Sequence, residues 1–189
     1  PNFVMLEGDS VHHNIAFSNT GAGIIINTYT SGLAANVSNN IGYSNKLQGI
    51  TLSNINPARP EQHSFVFNNI ALNNTGQDLS YDGNASEYDY NYVQDGVLGG
   101  TGNAHSLFGT GGGAVEPKFA NLGLLDVDAN ADGTPDILDY LNDPNYLGQF
   151  ENTSAAISHA HYLMQQVFGL QATSSLIDAG VDVGLTQDL

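Results

Sequence analysis

Asn14-Ile15-Ala16-Phe17-Ser18-Asn19 returns as Asn40-Ile41-Gly42-Tyr43-Ser44-Asn45 and again as Asn69-Ile70-Ala71-Leu72-Asn73-Asn74. The copies stand 26 and 29 residues apart, and a degenerate one, Tyr88-Asp89-Tyr90-Asn91-Tyr92, follows some 22 or 23 residues on. A fixed period of this length marks a stacked-coil architecture, in which each copy is one turn of a solenoid. Inside each unit apolar residues alternate over short stretches (Ile15, Phe17; Ile41, Tyr43; Phe65, Phe67; Tyr88, Tyr90, Tyr92). A second such stretch follows in each unit: Gly23-Ile24-Ile25-Ile26, Gly49-Ile50-Thr51-Leu52 and Asp78-Leu79-Ser80-Tyr81. Alternation with a period of two is the pattern of β-strands, so each unit reads strand, turn, strand. The turns, Asn-Thr-Gly-Ala-Gly at 19–23, Asn-Lys-Leu-Gln-Gly at 45–49 and Asn-Thr-Gly-Gln-Asp at 74–78, are rich in residues that tolerate left-handed backbone angles.

Stacking the coils places Asn14, Asn40 and Asn69 above one another at the strand spacing of about 4.8 Å. Amide side chains at that spacing can hydrogen-bond along the stack, which explains why these turn positions are Asn. The fold expected is all-β, a right-handed parallel β-helix, carrying a calcium-loop insertion and a short C-terminal helix. Its expected organisation is β-helix coils over 1–121, the calcium-loop insertion over 122–150, and a capping helix with a closing β-helix segment over 151–189.

Composition agrees with a single packed solenoid. The chain has 189 residues, 41% of them hydrophobic, and no cysteine, so it does not rely on disulfides. No apolar run approaches the roughly 20 residues that cross a bilayer, and no charged-then-apolar leader precedes Asn2. Pro1 at the first position, with Phe3-Val4-Met5-Leu6 already strand-like, is expected of a segment with further coils ahead of it. Nineteen acidic residues against 3 basic ones give a net charge of −16, which repels nucleic acid and anionic membranes. An acidic, lysine-poor chain rich in Asn, Gly, Ser and Thr is typical of secreted or saline-adapted proteins, and the setting expected here is extracellular or cell-surface. The four Asn-x-Ser/Thr triplets at Asn36, Asn73, Asn84 and Asn152 mark surface loops where the host glycosylates.

Residues 126–139 carry a distinct chemistry: Asp126-Val-Asp128-Ala-Asn130-Ala-Asp132-Gly133-Thr134-Pro135-Asp136-Ile-Leu-Asp139. Oxygen side chains at alternate positions and a glycine at the sharp turn fit a calcium loop, since Ca²⁺ takes six to eight hard oxygen ligands. With Asp128 at position 1, Asn130, Asp132, Thr134 (by its carbonyl), Asp136 and Asp139 fall at 3, 5, 7, 9 and 12, and Gly133 at 6. Asp126 completes the candidate ligand set. The segment resembles the loops of dockerins and, in Asp-Gly-Thr-Pro-Asp, the thrombospondin type 3 calcium repeats. Position 12 is Asp rather than Glu and no second copy follows, so a cohesin-binding pair is not expected. Calcium here is expected to be structural.

Downstream, Asn152-Thr153-Ser154 is expected to cap a helix from Ala155 toward Phe168, with Ile157, Ala160, His161, Met164 and Val167 on its packed face. The pairs His12-His13 and His159-x-His161 lack a third ligand in the sequence, so zinc is not expected at either.

The repeats, with their Asn-Asn-Ile-Ala and Ser-Asn phrases, resemble the coils of right-handed parallel β-helix proteins. Glu116-Pro117-Lys118-Phe119 and Phe168-Gly-Leu-Gln-Ala-Thr-Ser-Ser-Leu-Ile-Asp178-Ala-Gly180 resemble the closing segment of the secreted polysaccharide-acting members, pectate-lyase-like proteins among them. Ser175 stands where those sequences usually have Pro. The resemblance implies an extracellular protein that binds or processes polysaccharide, with lyase chemistry as one form of processing. A polyuronate lyase needs a basic side chain to abstract the proton beside the uronate carboxylate, with calcium neutralising that carboxylate. Lys46, Arg59 and Lys118 are the only Lys or Arg residues; Lys46 and Arg59 are the catalytic candidates, and Lys118 belongs to the closing phrase. A hydrolase would instead need two facing carboxylates, for which Asp78, Asp82, Asp89 and Asp95 are candidates. Tyr43, Tyr81, Tyr88, Tyr90 and Tyr92 offer rings for stacking on sugars. The alternative is a non-catalytic structural or adhesive solenoid that assembles with other coils or copies into a layer or filament.

Overall fold

A computed structural model describes residues 2–4, 10–27, 35–53, 64–81, 86–95, 97–98, 101–102, 105–109, 115–125, 146–177 and 179–180. The chain divides into two compact units, Pro1–Glu116 with Asp178–Leu189, and Pro117–Ile177.

The first unit is a parallel β-helix. Its strands form three parallel sheets of five strands each among the described residues. Sheet A contains β1 (Asn2–Val4), β4 (Ile24–Asn27), β7 (Ile50–Ser53), β10 (Leu79–Tyr81) and β13 (Val97–Leu98). Sheet B contains β2 (Ser10–His12), β5 (Asn36–Ser38), β8 (Ser64–Phe67), β11 (Ser86–Asp89) and β14 (Thr101–Gly102). Sheet C contains β3 (Ile15–Phe17), β6 (Ile41–Tyr43), β9 (Ile70–Leu72), β12 (Tyr92–Val93) and β15 (Leu107–Phe108). Each coil therefore runs B, C, A, with three strands where the alternation pattern suggests two. A single left-handed residue separates B from C, namely His13, Asn39, Asn68 and Tyr90 at φ 55°, 55°, 58° and 55°. That corner is too short to interrupt the alternation: Tyr88 lies in β11, Tyr92 in β12, and Tyr90 at the bend between them. Ser18, Ser44 and Asn73, at φ 52°, 53° and 57°, make the next corner after sheet C.

Each corner residue is followed by an asparagine whose amide joins a ladder along the stack and offsets the cost of the left-handed backbone, roughly 1–2 kcal/mol for a residue with a Cβ. At the first corner the Asn14 amide donates to Asn40 Oδ1, Asn40 to Asn69 and Asn69 to Asn91, each at 3.0 Å. The main-chain N–H of each donor residue reaches the same oxygen, at 3.0, 3.1 and 2.9 Å. The Asn91 N–H closes the series on Ser106 Oγ at 3.2 Å. This is the ladder expected from the repeat, with Asn40, Asn69 and Asn91 fully buried. A second ladder, not anticipated from the sequence, runs through the other corner. Asn19 donates to Asn45 at 2.8 Å, Asn45 to Asn74 at 2.9 Å, and Asn74 to Asp78 Oδ1 at 2.7 Å.

The register stacks Val11, Val37, Val66 and Tyr88 inward from sheet B, Ile24, Ile50 and Leu79 from sheet A, and Ala16, Gly42, Ala71 and Val93 from sheet C. Burying each Val, Ile or Leu is worth roughly 1.5–3 kcal/mol. The small residues of sheet C let the backbone approach closely: a Cβ on Gly42 would fall 2.9 Å from the Gly49 carbonyl oxygen.

In the second unit the two halves of the closing phrase meet. Phe119 bridges Leu170 antiparallel, Phe119 and Phe168 pack edge to face at 5.4 Å, and Lys118 Nζ donates to the Thr173 carbonyl at 3.3 Å. Lys118 thus serves the closing contact. The helix spans Thr153–Phe168, and Asn152 Oδ1 caps it by accepting from Ala155 N at 2.9 Å. Its buried residues are Ala156, Val167 and Phe168, whereas Ile157 is 53% exposed and His161 is exposed. The packed stripe is thus displaced by one residue at its start from the expected Ile157 face.

Candidate functional site

The feature that departs most from a plain solvated solenoid is the outer face of sheet B. Because Val11, Val37, Val66 and Tyr88 point in, their neighbours point out. One outward row, read across the strands by register, is Ser10, Asn36, Phe65, Glu87; the other is His12, Ser38, Phe67, Asp89, of which Ser38 is buried. Phe65 is 40% exposed, and its ring stacks on that of Phe67 with centroids 6.2 Å apart and planes 20° from parallel. On sheet A the corresponding outward positions carry hydroxyls, Thr51 Oγ1 and Ser80 Oγ at 3.0 Å. Two stacked rings on one strand, Phe65 exposed and Phe67 half-buried, with exposed Asn36 on one side and Glu87 and Asp89 on the other, form an apolar platform inside a polar frame.

Glu87 is exposed and, among the described residues, its carboxylate accepts no hydrogen bond. Asp89 differs. Its Oδ1 accepts the N–H of Tyr90 at 2.9 Å and of His105 at 2.7 Å, and its Oδ2 meets His105 Nδ1 at 2.7 Å. Burial alone would raise the Asp89 carboxyl, but the hydrogen bonds from the His105 ring, the His105 N–H and the Tyr90 N–H outweigh it and hold the group below its ordinary value. His105 in turn stacks on Tyr90, centroids 4.6 Å apart and planes 10° from parallel. At the opposite end of the row His12 Nδ1 and His13 Nδ1 stand 3.0 Å apart, and His13 Nε2 is 3.3 Å from Asn39 Nδ2. Both histidine groups therefore border the face at the B-to-C corner.

The residues selected from sequence fall in several places. Lys46 is exposed in the turn between β6 and β7, its N–H on the Asn19 carbonyl at 2.9 Å, so it lies on the C-to-A connection and not on sheet B. Arg59 lies outside the described residues, as do Asp82 and the whole candidate calcium set, Asp126, Asp128, Asn130, Asp132, Thr134, Asp136 and Asp139. Among the described residues no three His, Asp or Glu side chains group as a metal site.

Asp78 is fully buried and ends the second ladder, taking the Asn74 amide on Oδ1 and the Asp95 N–H on Oδ2 at 2.8 Å. Burial raises its carboxyl above the ordinary value in spite of these donors. It is a structural acid with no route to a ligand. Of the tyrosines, Tyr88 and Tyr92 are core residues, 4% and 3% exposed, and Tyr90 is committed to His105. The Tyr92 hydroxyl donates to the Val115 carbonyl at 3.1 Å, and burial, with the charges of Asp78 and Glu116, pushes it up to about 12. Tyr43 pairs in register with Phe17 on sheet C, both half-buried, and the outward rings of sheet B are Phe65 and Phe67 rather than Tyr88. Their placement was open to inference, since the repeat aligns Val66 with Val37 and Val11 and so turns both phenylalanines outward. The Asp89–His105 pair carried no such signal, because coils of unequal length bring it together.

No protein-family model, curated protein or solved structure matches the chain.

Proposed function

We propose that this is an extracellular, calcium-stabilised β-helix protein of the polysaccharide-binding kind, and that the outer face of sheet B is its glycan platform. The observation that carries the reading is the stacked Phe65–Phe67 pair, with Phe65 exposed, set between Asn36 and Glu87. A pyranose ring presents an apolar face of C–H groups edged by hydroxyls. Such a ring fits an aromatic surface ringed by hydrogen-bonding groups. Binding without turnover is the form favoured here. Asp78 is sealed in the core, and Asp89 is held ionised by three donors, so neither serves as the proton-donating acid of a hydrolase. The lyase reading, resting on Lys46 and Arg59, gains no support from the described face.

Affinity electrophoresis in gels cast with soluble polysaccharides tests the platform. Phe65→Ala and Phe67→Ala should each weaken retention roughly tenfold, as expected for losing an aromatic stacking contact of about 1.5 kcal/mol, with the circular dichroism spectrum unchanged. Retention unaltered by both substitutions would refute the platform.

For calcium, the support is the spacing of Asp128, Asn130, Asp132, Thr134, Asp136 and Asp139. Hydrogen exchange with and without a chelator should show residues 126–139 losing protection before the coils do, because coil stability comes from neighbouring coils. Equal protection in both conditions would remove calcium from the reading.

A further inference from the structure

We propose that the sheet B face selects uncharged, hydroxyl-rich glycans over uronate- or sulfate-bearing ones, with Glu87 as the residue that sets this preference; the inference rests on the platform reading above. An ionised carboxylate accepts hydrogen bonds and donates none, so a ligand that satisfies Glu87 must bring donors. Sugar hydroxyls bring them. A uronate carboxylate or a sulfate brings more acceptors and a like charge.

Asp89, two residues further along β11, adds a second negative charge at the edge of the face, with three hydrogen bonds already on its two oxygens. The cation that would reverse this preference is absent from the described face. Lys46, the single Lys or Arg among the described residues of the solenoid unit, lies on the C-to-A turn. Repulsion from one carboxylate at roughly 4 Å in water amounts to about a fivefold loss of affinity, and more where a ring excludes solvent.

The test is a retention series at about pH 8, where histidine is ordinarily neutral. It uses a soluble β-glucan and a galactomannan as neutral polymers and pectate and alginate as anionic ones, with calcium held at one level throughout. Neutral polymers should be retained at least about fivefold more strongly than anionic ones. Glu87→Gln should narrow that ratio, and Phe65→Ala should weaken retention of the neutral polymers. Anionic polymers retained as strongly as neutral ones, by calcium bridging or otherwise, would overturn the selectivity, as would a ratio unchanged by Glu87→Gln. Those results leave the platform standing provided Phe65→Ala still weakens retention. Failure of every polymer to be retained overturns both.

Discussion

Replacing Asn69 by Ala tests whether the amide ladder holds the coils together. Asn69 is fully buried, and its Oδ1 accepts the main-chain N–H of Asn40 at 3.1 Å and the Asn40 amide at 3.0 Å. Its own amide nitrogen donates to the Val37 and Phe67 carbonyls at 2.9 and 3.0 Å and to Asn91 Oδ1 at 3.0 Å. Truncation leaves two Asn40 donors facing a void. At about 1–3 kcal/mol for each buried donor left unpaired, the loss is about 2–6 kcal/mol. Asn14→Ala is the internal comparison. Asn14 is exposed, and Asn40 Oδ1 keeps the Asn14 main-chain N–H as a partner after the substitution, so the loss should stay below about 1 kcal/mol. In urea unfolding followed by far-ultraviolet circular dichroism, a slope of about 2 kcal/mol/M turns these figures into midpoint shifts of about 1–3 M for Asn69→Ala and below about 0.5 M for Asn14→Ala. Equal shifts for the two variants would refute the ladder as a cumulative, burial-dependent device.

Gly49→Ala should also unfold the second ladder, since a Cβ there would lie 2.5 Å from Asn74 Nδ2 and 2.6 Å from the Asp78 carbonyl oxygen. A loss of about 1–3 kcal/mol in the same urea assay is expected, against little change for Gly21→Ala, whose Cβ would meet nothing within 4 Å; similar losses would contradict the packing argument. The two acids predict opposite pH slopes. Asp89, with its folded value held below the ordinary 3.8, contributes stability above that value and loses it as pH falls through the folded one, so Asp89→Asn should flatten the acid limb of a stability profile. Asp78, raised above 3.8, contributes stability that is fully present below that value and is lost as pH rises through the folded one, so Asp78→Asn should remove a decline on the neutral side. Unchanged limbs in thermal melts across pH would dismiss both assignments.

The coil, its period and one ladder were readable in the sequence because Asn14, Asn40 and Asn69 repeat in phase with an alternating apolar pattern. The third strand was not, because a corner made by one left-handed residue can keep the period of two: Tyr88, Tyr90 and Tyr92 read as one alternating stretch although Tyr90 is the bend between β11 and β12. The second ladder was hidden for another reason. Asn19, Asn45 and Asn74 head stretches that look like ordinary turns, and the position that ends the series is an acid four residues beyond Asn74. The helix and its Asn152 cap were readable, but its face was not, since Ile157 is the larger apolar residue and Ala156 the buried one. For the candidate site, the sequence named tyrosines from their alternation along strands, whereas inward or outward direction depends on register with Val11, Val37 and Val66.

The end of the second ladder at Asp78 follows from the length of the coil beneath it. Asn69 and Asn91 stand 22 residues apart, against 29 for Asn40 and Asn69, and β13 begins at Val97, too soon after β12 for a full corner. No asparagine is therefore supplied below Asn74, whose main-chain N–H and amide still need an acceptor. Asp78 folds back from its own coil to provide that acceptor on Oδ1, and its second oxygen takes the Asp95 N–H of the shortened coil. Only an acid satisfies both sides at once, because an amide in its place would turn a donor toward Asp95 N–H or toward Asn74. The corners are thus closed by polar groups that point inward, and the coils are held by these ladders together with strand pairing and the inward-packed residues rather than by the outward positions of sheet B. Sheet B is then free to carry an exposed aromatic pair and an unpaired carboxylate at little cost to the fold, which is the arrangement a ligand-binding face needs.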